Sequence, residues 1–359
     1  MRRWPWVVTF LVLLGLLAGL LTPAQAAPPA ATDPTAAANR AITWLLSQRN
    51  ADGGFGKPQS APGTTADALL ALGAVGQAAP APALDYLTRQ RPALEKSAGL
   101  TAKVILALTA TGQDPRRFAG LDLVAHLRTF VDPQSGRLGQ SAIDHAYALL
   151  ALAATDRAAI TPAMVTWLLR TQLPEGAWAW DGGQQPGSGD TNTTALAVQA
   201  LARVGGEAAR PAIDRALQYF RTVQNDDGGF PFQKPAQFGT ETDANSTALV
   251  LQALLAVGQR PEAWARPQGN PLTALLALQN PSGAFRWKAG VPEDNLLATV
   301  QAVPALVGQP LPIVRPAPAP APVTPTRLPR TGAPVALPVL IGMALVLSGL
   351  VFRRSTTRL

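Results

Sequence analysis

The sequence predicts an all-α fold of six helical hairpins, with the second helix of each hairpin ringed about a common axis. Internal repetition is the first sign of it. Gly76, Gly112, Gly205, Gly258 and Gly308 each close an alanine- and leucine-rich run, as in "ALGAVGQ" and "ALLAVGQ", and Asp156 takes the same place once. A glycine just past an apolar periodic run reads as a helix C-cap needing positive φ. Ten residues before these positions stand Ala66, Ala102, Ala146, Ala195, Ala248 and Ala298. Small side chains repeated on one face let helices pack closely, because bulk sets the interaxial distance. Each inner run also follows another apolar run, with Trp44, Tyr86, His126, Trp167, Tyr219 and Ala274 near its middle. Proline is scarce inside these runs and common between them, as its missing amide donor requires.

In chain order, the first element is "MRRWPWVVTFLVLLGLLAGLLTPAQA". Arg2 and Arg3, an apolar run and Ala24-Gln25-Ala26 follow the order of a secretory signal peptide over residues 1–26. The repeats then occupy 37–308, and "QPLPIVRPAPAPAPVTPTR" follows at 309–327 as an extended proline-rich linker. At 328–359, Leu328, Pro329, Arg330, Thr331 and Gly332 precede a 20-residue apolar stretch, 333–352, and a basic tail. Such a stretch is long enough to cross about 30 Å of hydrocarbon as a single hydrophobic helix. This order resembles the sorting signal of sortase-anchored surface proteins. The resemblance implies a transpeptidase that cuts after Thr331 and joins it to the cell envelope; without cleavage, the segment would hold the chain in the membrane with a cytoplasmic C-terminus.

Composition narrows the chemistry. Among 359 residues there is no cysteine, so disulfides, thiolate metal sites and cysteine nucleophiles are excluded, and only two histidines, His126 and His145, are present. The formal charge is +8, but five arginines (Arg2, Arg3, Arg353, Arg354 and Arg358) of the 30 basic residues lie in the terminal segments. The exported part keeps 25 basic against 22 acidic residues, which gives no reason to expect nucleic acid as a partner.

Four outer-helix ends share a motif. "WLLRTQLPEGAW" carries Gln172 and Trp178, "YFRTVQNDDGGF" carries Gln224 and Phe230, "ALLALQNPSGAF" carries Gln279 and Phe285, and "WLLSQRNADGGF" carries Gln48 with shifted spacing. These resemble the QW motif of the squalene cyclase and prenyltransferase repeat family, across residues 37–308. The resemblance implies an (α/α)6 toroid in which the glutamine bonds free backbone groups and the aromatic packs over the neighbouring repeat. Asp226-Asp227 then falls in a turn whose counterparts are Ala51-Asp52 and Pro281-Ser282. Aspartate before Gly-Gly is ordinary turn chemistry, so neither residue is expected to matter for activity or stability.

The catalytic residues that the family would supply are missing. The Asp-x-Asp-Asp acid of squalene cyclases, the Asp-Asp-x-x-Asp diphosphate site and the Asp/Cys/His zinc set do not occur. No cofactor and no metal are therefore expected, and no catalytic residue is assigned. What remains is a polar cluster where the later inner helices begin: Asp190, Asn192, Asp243, Asn245 and Asn295, the three asparagines thirteen residues before their cap glycines. These residues suit N-capping, and they equally suit a ring of polar groups at a toroid mouth. Trp180 and Phe232, two residues beyond the motif aromatics, are candidates for its rim. "LATVQAVPALVGQP" also resembles the last helix of cobalamin carriers, which would make a small-ligand binder. The leading expectation is an extracytoplasmic, surface-held module that binds a small molecule or protein. The alternatives are an enzyme using paired carboxylates (Asp144, Asp190, Asp243) as glycan hydrolases and lyases do, a diverged cyclase, or a scaffold without ligand.

Overall fold

The computed structural model describes residues 33–235 and 239–316. The signal-peptide and sorting-signal expectations, including Thr331 and the apolar stretch, lie outside the described residues. Among the described residues no helix is long and apolar enough to cross a membrane.

The outer helices are α1 (Pro34–Ser47), α3 (Ala81–Arg89, extended by a single turn, α4, Arg91–Leu94), α6 (Leu123–Arg128), α8 (Pro162–Arg170), α10 (Arg210–Val223) and α12 (Pro271–Leu276). Each leads into an inner helix: α2 (Pro62–Ala74), α5 (Ala98–Ala110), α7 (Ala142–Thr155), α9 (Thr191–Val204), α11 (Ala244–Ala256) and α13 (Leu296–Leu306). Each inner helix packs on the next, and α13 packs on α2, so the ring is closed. The repeated alanines are fully buried between them. In the sixth repeat the connection is a short antiparallel hairpin, β1 (Phe285–Lys288) with β2 (Val291–Asn295), which pairs Phe285 with Asn295.

The glutamine motif links consecutive outer helices. Gln224 Nε2 donates to the carbonyls of Gly228 (2.9 Å) and Trp264 (2.8 Å), while its Oε1 accepts from Arg266 Nε (3.0 Å). Gln172 does the same with Gly176, Ala212 and Arg215. Gln279 bonds Gly283 and Ala37 and accepts from Arg40, which joins the sixth repeat to the first. One amide thus satisfies two carbonyls and one arginine at a junction where helix ends leave backbone groups unpaired. Gly228 is required here: its φ is +89°, and a Cβ would fall 2.5 Å from the Asn270 backbone of the next repeat. Gln48 differs. Its Nε2 reaches only Ser47 Oγ, because Arg49 holds the position that Gln224 has before Asn-x-Asp-Gly-Gly-Phe, and Arg89 of the second repeat bonds the Asp52 carbonyl instead.

The aromatic of the motif is fixed to its own inner helix. Trp178 N–H donates to Thr194 Oγ1 and its carbonyl accepts from Asp190 N–H, both at 3.0 Å. Phe230 pairs likewise with Thr247 and Asp243, and Phe55 with Thr65 and Ala61. In the third repeat His145 replaces the threonine: its Nδ1 accepts from Leu138 N–H (2.9 Å), and Nε2 faces the Met164 carbonyl (3.0 Å). In the sixth, Thr299 takes this place. Since α13 has 11 residues and α9 has 14, counting back from Gly308 overshoots by two, and the sixth-repeat register read from the cap is corrected accordingly.

Two further expectations change. Gly205 has φ −79°, and the left-handed residue is Gly206 at +54°. The chain also does not become a free spacer at 309, since Leu311 and Ile313 are buried in the core.

The Asp226-Asp227 turn is structural, but its two residues are not equivalent. Asp226 is exposed, whereas Asp227 Oδ1 accepts from Gly229 N–H (2.9 Å) and Thr242 Oγ1 (2.7 Å). Asp52 makes the same pair of bonds to Gly54 and Ser60. Asp227→Ala should therefore cost about 1–2 kcal/mol in urea unfolding, against within about 0.5 kcal/mol for Asp226→Ala.

Candidate functional site

The candidate site is the end of the ring where the inner helices begin. Asp190 caps α9, with Oδ1 accepting from Thr193 N–H and Oδ2 from Thr193 Oγ1, both at 2.7 Å. Asp243 caps α11 through Ser246 in the same way, at 2.7 and 2.9 Å. Asn295 Oδ1 caps α13 through Ala298 N–H at 2.9 Å. Asn295 is thus the counterpart of the two aspartates, and Leu297, 44% exposed, stands where the other two repeats have Asn192 and Asn245.

Those two asparagines are not caps. Asn245 Nδ2 donates to Gln301 Oε1 across to α13 at 2.8 Å. Asn192 Oδ1 is buried without a hydrogen-bond partner. A buried carbonyl left unpaired is costly, so a donor brought to this atom would be stabilising.

Below them lies a layer that counting from the C-caps did not reveal. Six residues past the N-caps stand Asp67, Lys103, Tyr147, Leu196, Leu249 and Gln301, one from each inner helix. Lys103 Nζ bonds Asp67 Oδ2 at 2.8 Å, with side-chain exposures of 20% and 9%, and lies 5.3 Å from the centre of the Tyr147 ring. Burial opposes the Lys103 charge, but Asp67 and Tyr147 outweigh it and hold the ammonium above its usual range. Burial raises the Tyr147 hydroxyl against the opposing pull of Lys103. A lysine and an aspartate in otherwise apolar runs ("ADALLALG", "AKVILALT") were the visible signal, once the helices are aligned by their starts.

The rim residues have a backbone role as well. The Trp180 carbonyl accepts from Ala142 N–H (2.9 Å), and the Phe232 carbonyl from Thr191 N–H (2.9 Å), each at the first turn of the preceding repeat's inner helix. The Trp180 side chain is 61% exposed; that of Phe232 is half-buried.

The three carboxylates of the enzyme alternative are differently placed. Asp190 and Asp243 are 2% and 1% exposed and engaged on their own helices. Asp144 Oδ2 accepts from Gln140 N–H, and its carboxylate packs against Gly99 and Gly139. Among the described residues no three His, Asp or Glu side chains are grouped to hold a metal. Grooves of about 550 and 530 Å³ lie elsewhere, one along α12 and the turn with Asp227, the other along α8, and neither is lined by the polar layer.

Burial shifts two groups in opposite directions. Burial raises Asp190 to about 6, against the opposing bonds from Thr193, and lowers His145 to about 4. A raised folded-state carboxyl adds stability below the unfolded value and loses it as pH rises through about 6. A depressed histidine is the reverse: its stability is full above pH 6.5 and lost as pH falls to about 4. Each is worth about 3 kcal/mol, so they nearly cancel between pH 4 and 6. Asp190→Asn should expose the histidine's contribution as a steep loss of stability on acidification through that window, read by urea midpoints.

Two family models match successive parts of the chain: the prenyltransferase alpha-alpha toroid domain over residues 6–127, and the squalene-hopene cyclase C-terminal domain over 123–291. Among solved structures, the type II terpene cyclase MstE from Scytonema is similar at 19% identity and a TM-score of 0.56, over 77% of this chain and 98% of that one. A protein from Actinoplanes matches at 18% identity and 0.54, again over 77% and 98%. A glycosidase variant matches over the same shares at 11% identity and 0.56. No curated protein sequence matches the chain. The ring is an α/α-toroid, similar in its successive parts to prenyltransferase and squalene-hopene cyclase domains, a fold that hosts more than one chemistry.

Proposed function

We propose that the chain is a secreted toroid, held at the cell surface by its C-terminal signal, that binds a polar small molecule or peptide group at the end of the ring where the inner helices start. The observation that carries this reading is the unpartnered Asn192 Oδ1, one helical turn nearer the mouth than the layer that holds Asp67, Lys103 and Gln301. A carbocation cavity calls for aromatic faces, and this layer offers Tyr147 alone among its six positions. With Asp190 and Asp243 engaged as caps, the geometry favours binding over carboxylate catalysis. An amide or hydroxyl group would donate to Asn192 and accept from Lys103, and the exposed Trp180 would cover an apolar part. No prosthetic group is needed for this role; the implied partners are the ligand, the sortase transpeptidase and the envelope.

The test is native mass spectrometry of residues 27–327 purified from the source cells. A co-purifying mass that disappears in Asn192→Leu, with unfolding midpoint unchanged or raised, is the expected result. Conversion of a polyprenyl substrate by the same fragment would instead establish a diverged cyclase. For the anchoring, Thr331→Ala should shift the protein from the covalently held wall fraction to the detergent-soluble one.

A further inference from the structure

The opposite end of the ring is crossed by the chain itself. Beyond α13, the Leu311 N–H donates to Oε1 of Gln199 on α9 at 2.9 Å. Four residues on, Arg315 N–H donates to the Thr109 carbonyl at the end of α5 at 3.1 Å. Helices α13, α9 and α5 are alternate members of the ring, so the segment spans the opening instead of following its edge. Leu311 and Ile313 are 4% and 5% exposed while Val314 is 58% exposed, the alternation of an extended chain with one face inward. The Arg315 guanidinium then lies against Gly76 at the end of α2, about 3.0 Å from where a Cβ would stand.

Gln199 makes the arrangement specific. It is fully buried within α9, and its Nε2 has only a long contact, 3.4 Å, to the Ala195 carbonyl of its own helix. Leucine would fill that volume without a polar cost; the amide oxygen is the acceptor for one backbone N–H of the tail. The site therefore reads an extended segment through its backbone and two alternate apolar side chains.

We infer that residues 309–316 are a removable plug: the ring has a second opening that binds an extended apolar peptide segment, filled here in cis, whose displacement exposes the ring interior from the end opposite the polar mouth. This goes beyond the ligand reading and stands without it. The six inner helices close on one another independently of the tail.

Hydrogen exchange on the full chain tests the plug. In the wild type, the Leu311 and Arg315 amides should be protected at least about tenfold over a free chain. Leu311→Asp with Ile313→Asp should abolish that protection and raise exchange at the C-terminal turns of α5 and α9, with helical content kept. A peptide of residues 308–316, added in excess, should restore protection to those turns. Gln199→Leu, the milder variant, should speed exchange at Leu311 alone. Unprotected Leu311 and Arg315 amides in the wild type, or no recovery with the peptide, would overturn the proposal. So would global loss of helix in both variants, which would make the segment an obligatory part of the core.

Discussion

Lys103→Met is expected to destabilise the ring by about 3 kcal/mol, the lower end of the range for removing one member of a buried ion pair. The cost comes from the partner left behind: Asp67 is 9% exposed at its side chain and accepts a hydrogen bond from Lys103 Nζ at 2.8 Å. The charge of Asp67 would have to be neutralised by proton uptake or exposed by opening the mouth. The double variant Asp67→Leu, Lys103→Met should recover to within about 1 kcal/mol of wild type, because an apolar pair of similar volume carries no desolvation penalty. Urea unfolding of the two single variants and the double, as a thermodynamic cycle, measures this. If the pair serves only stability, ligand retention in the double variant will equal that of the wild type; if it forms the floor of the site, stability will return and retention will not.

Trp178→Ala should cost about 4 kcal/mol, a large share of the stability of an ordinary domain. The indole is fully buried, and its Nε1 donates to the Leu168 carbonyl at 2.8 Å, so truncation leaves a cavity and removes one of two bonds to that carbonyl, the other coming from Thr171 Oγ1 at 3.1 Å. Trp178→Phe retains most of the packing and should cost about 1–2 kcal/mol. Trp180, two residues on, gives the contrast within one loop: at 61% exposure, its replacement by alanine should stay within about 0.5 kcal/mol in unfolding. Any loss of ligand with Trp180→Ala is then a binding effect.

Much of the ring was legible because repetition exposes what each helix must satisfy. Alanine at the closest approach, glycine in the turn and glutamine at the outer-helix end recur because each answers the same steric or polar demand. Gln48 and Asn295 show the limit of that method. Both were aligned by composition and distance from a neighbouring landmark, and one insertion or a shortened α13 moves a residue to a different turn of its helix. The N-caps are the sounder landmark, since the cap, the Thr194-type acceptor four residues on and the motif aromatic are tied by direct hydrogen bonds. Asp67 and Lys103 escaped for another reason: one polar residue in each of two apolar runs has no meaning until α2 and α5 are placed side by side. The tail segment 311–315 was hidden by composition, because alternating prolines read as linker whether or not Leu311 and Ile313 find a surface.

The bonds from Gln279 to Ala37 and from Arg40 to Gln279 bear on the order in which this molecule can fold. Open repeat arrays end in repeats with a single neighbour, and those ends fray first. Among the described residues the ring has no such end: α1 is also the neighbour of the sixth repeat, across a sequence separation of 242 residues. During synthesis α1 appears long before its second partner exists, so it must wait, half-covered, until residues 271–306 are made. Local hairpins can form early, but the final contact bears the full entropic cost of bringing distant segments together, which makes ring closure the natural slow step.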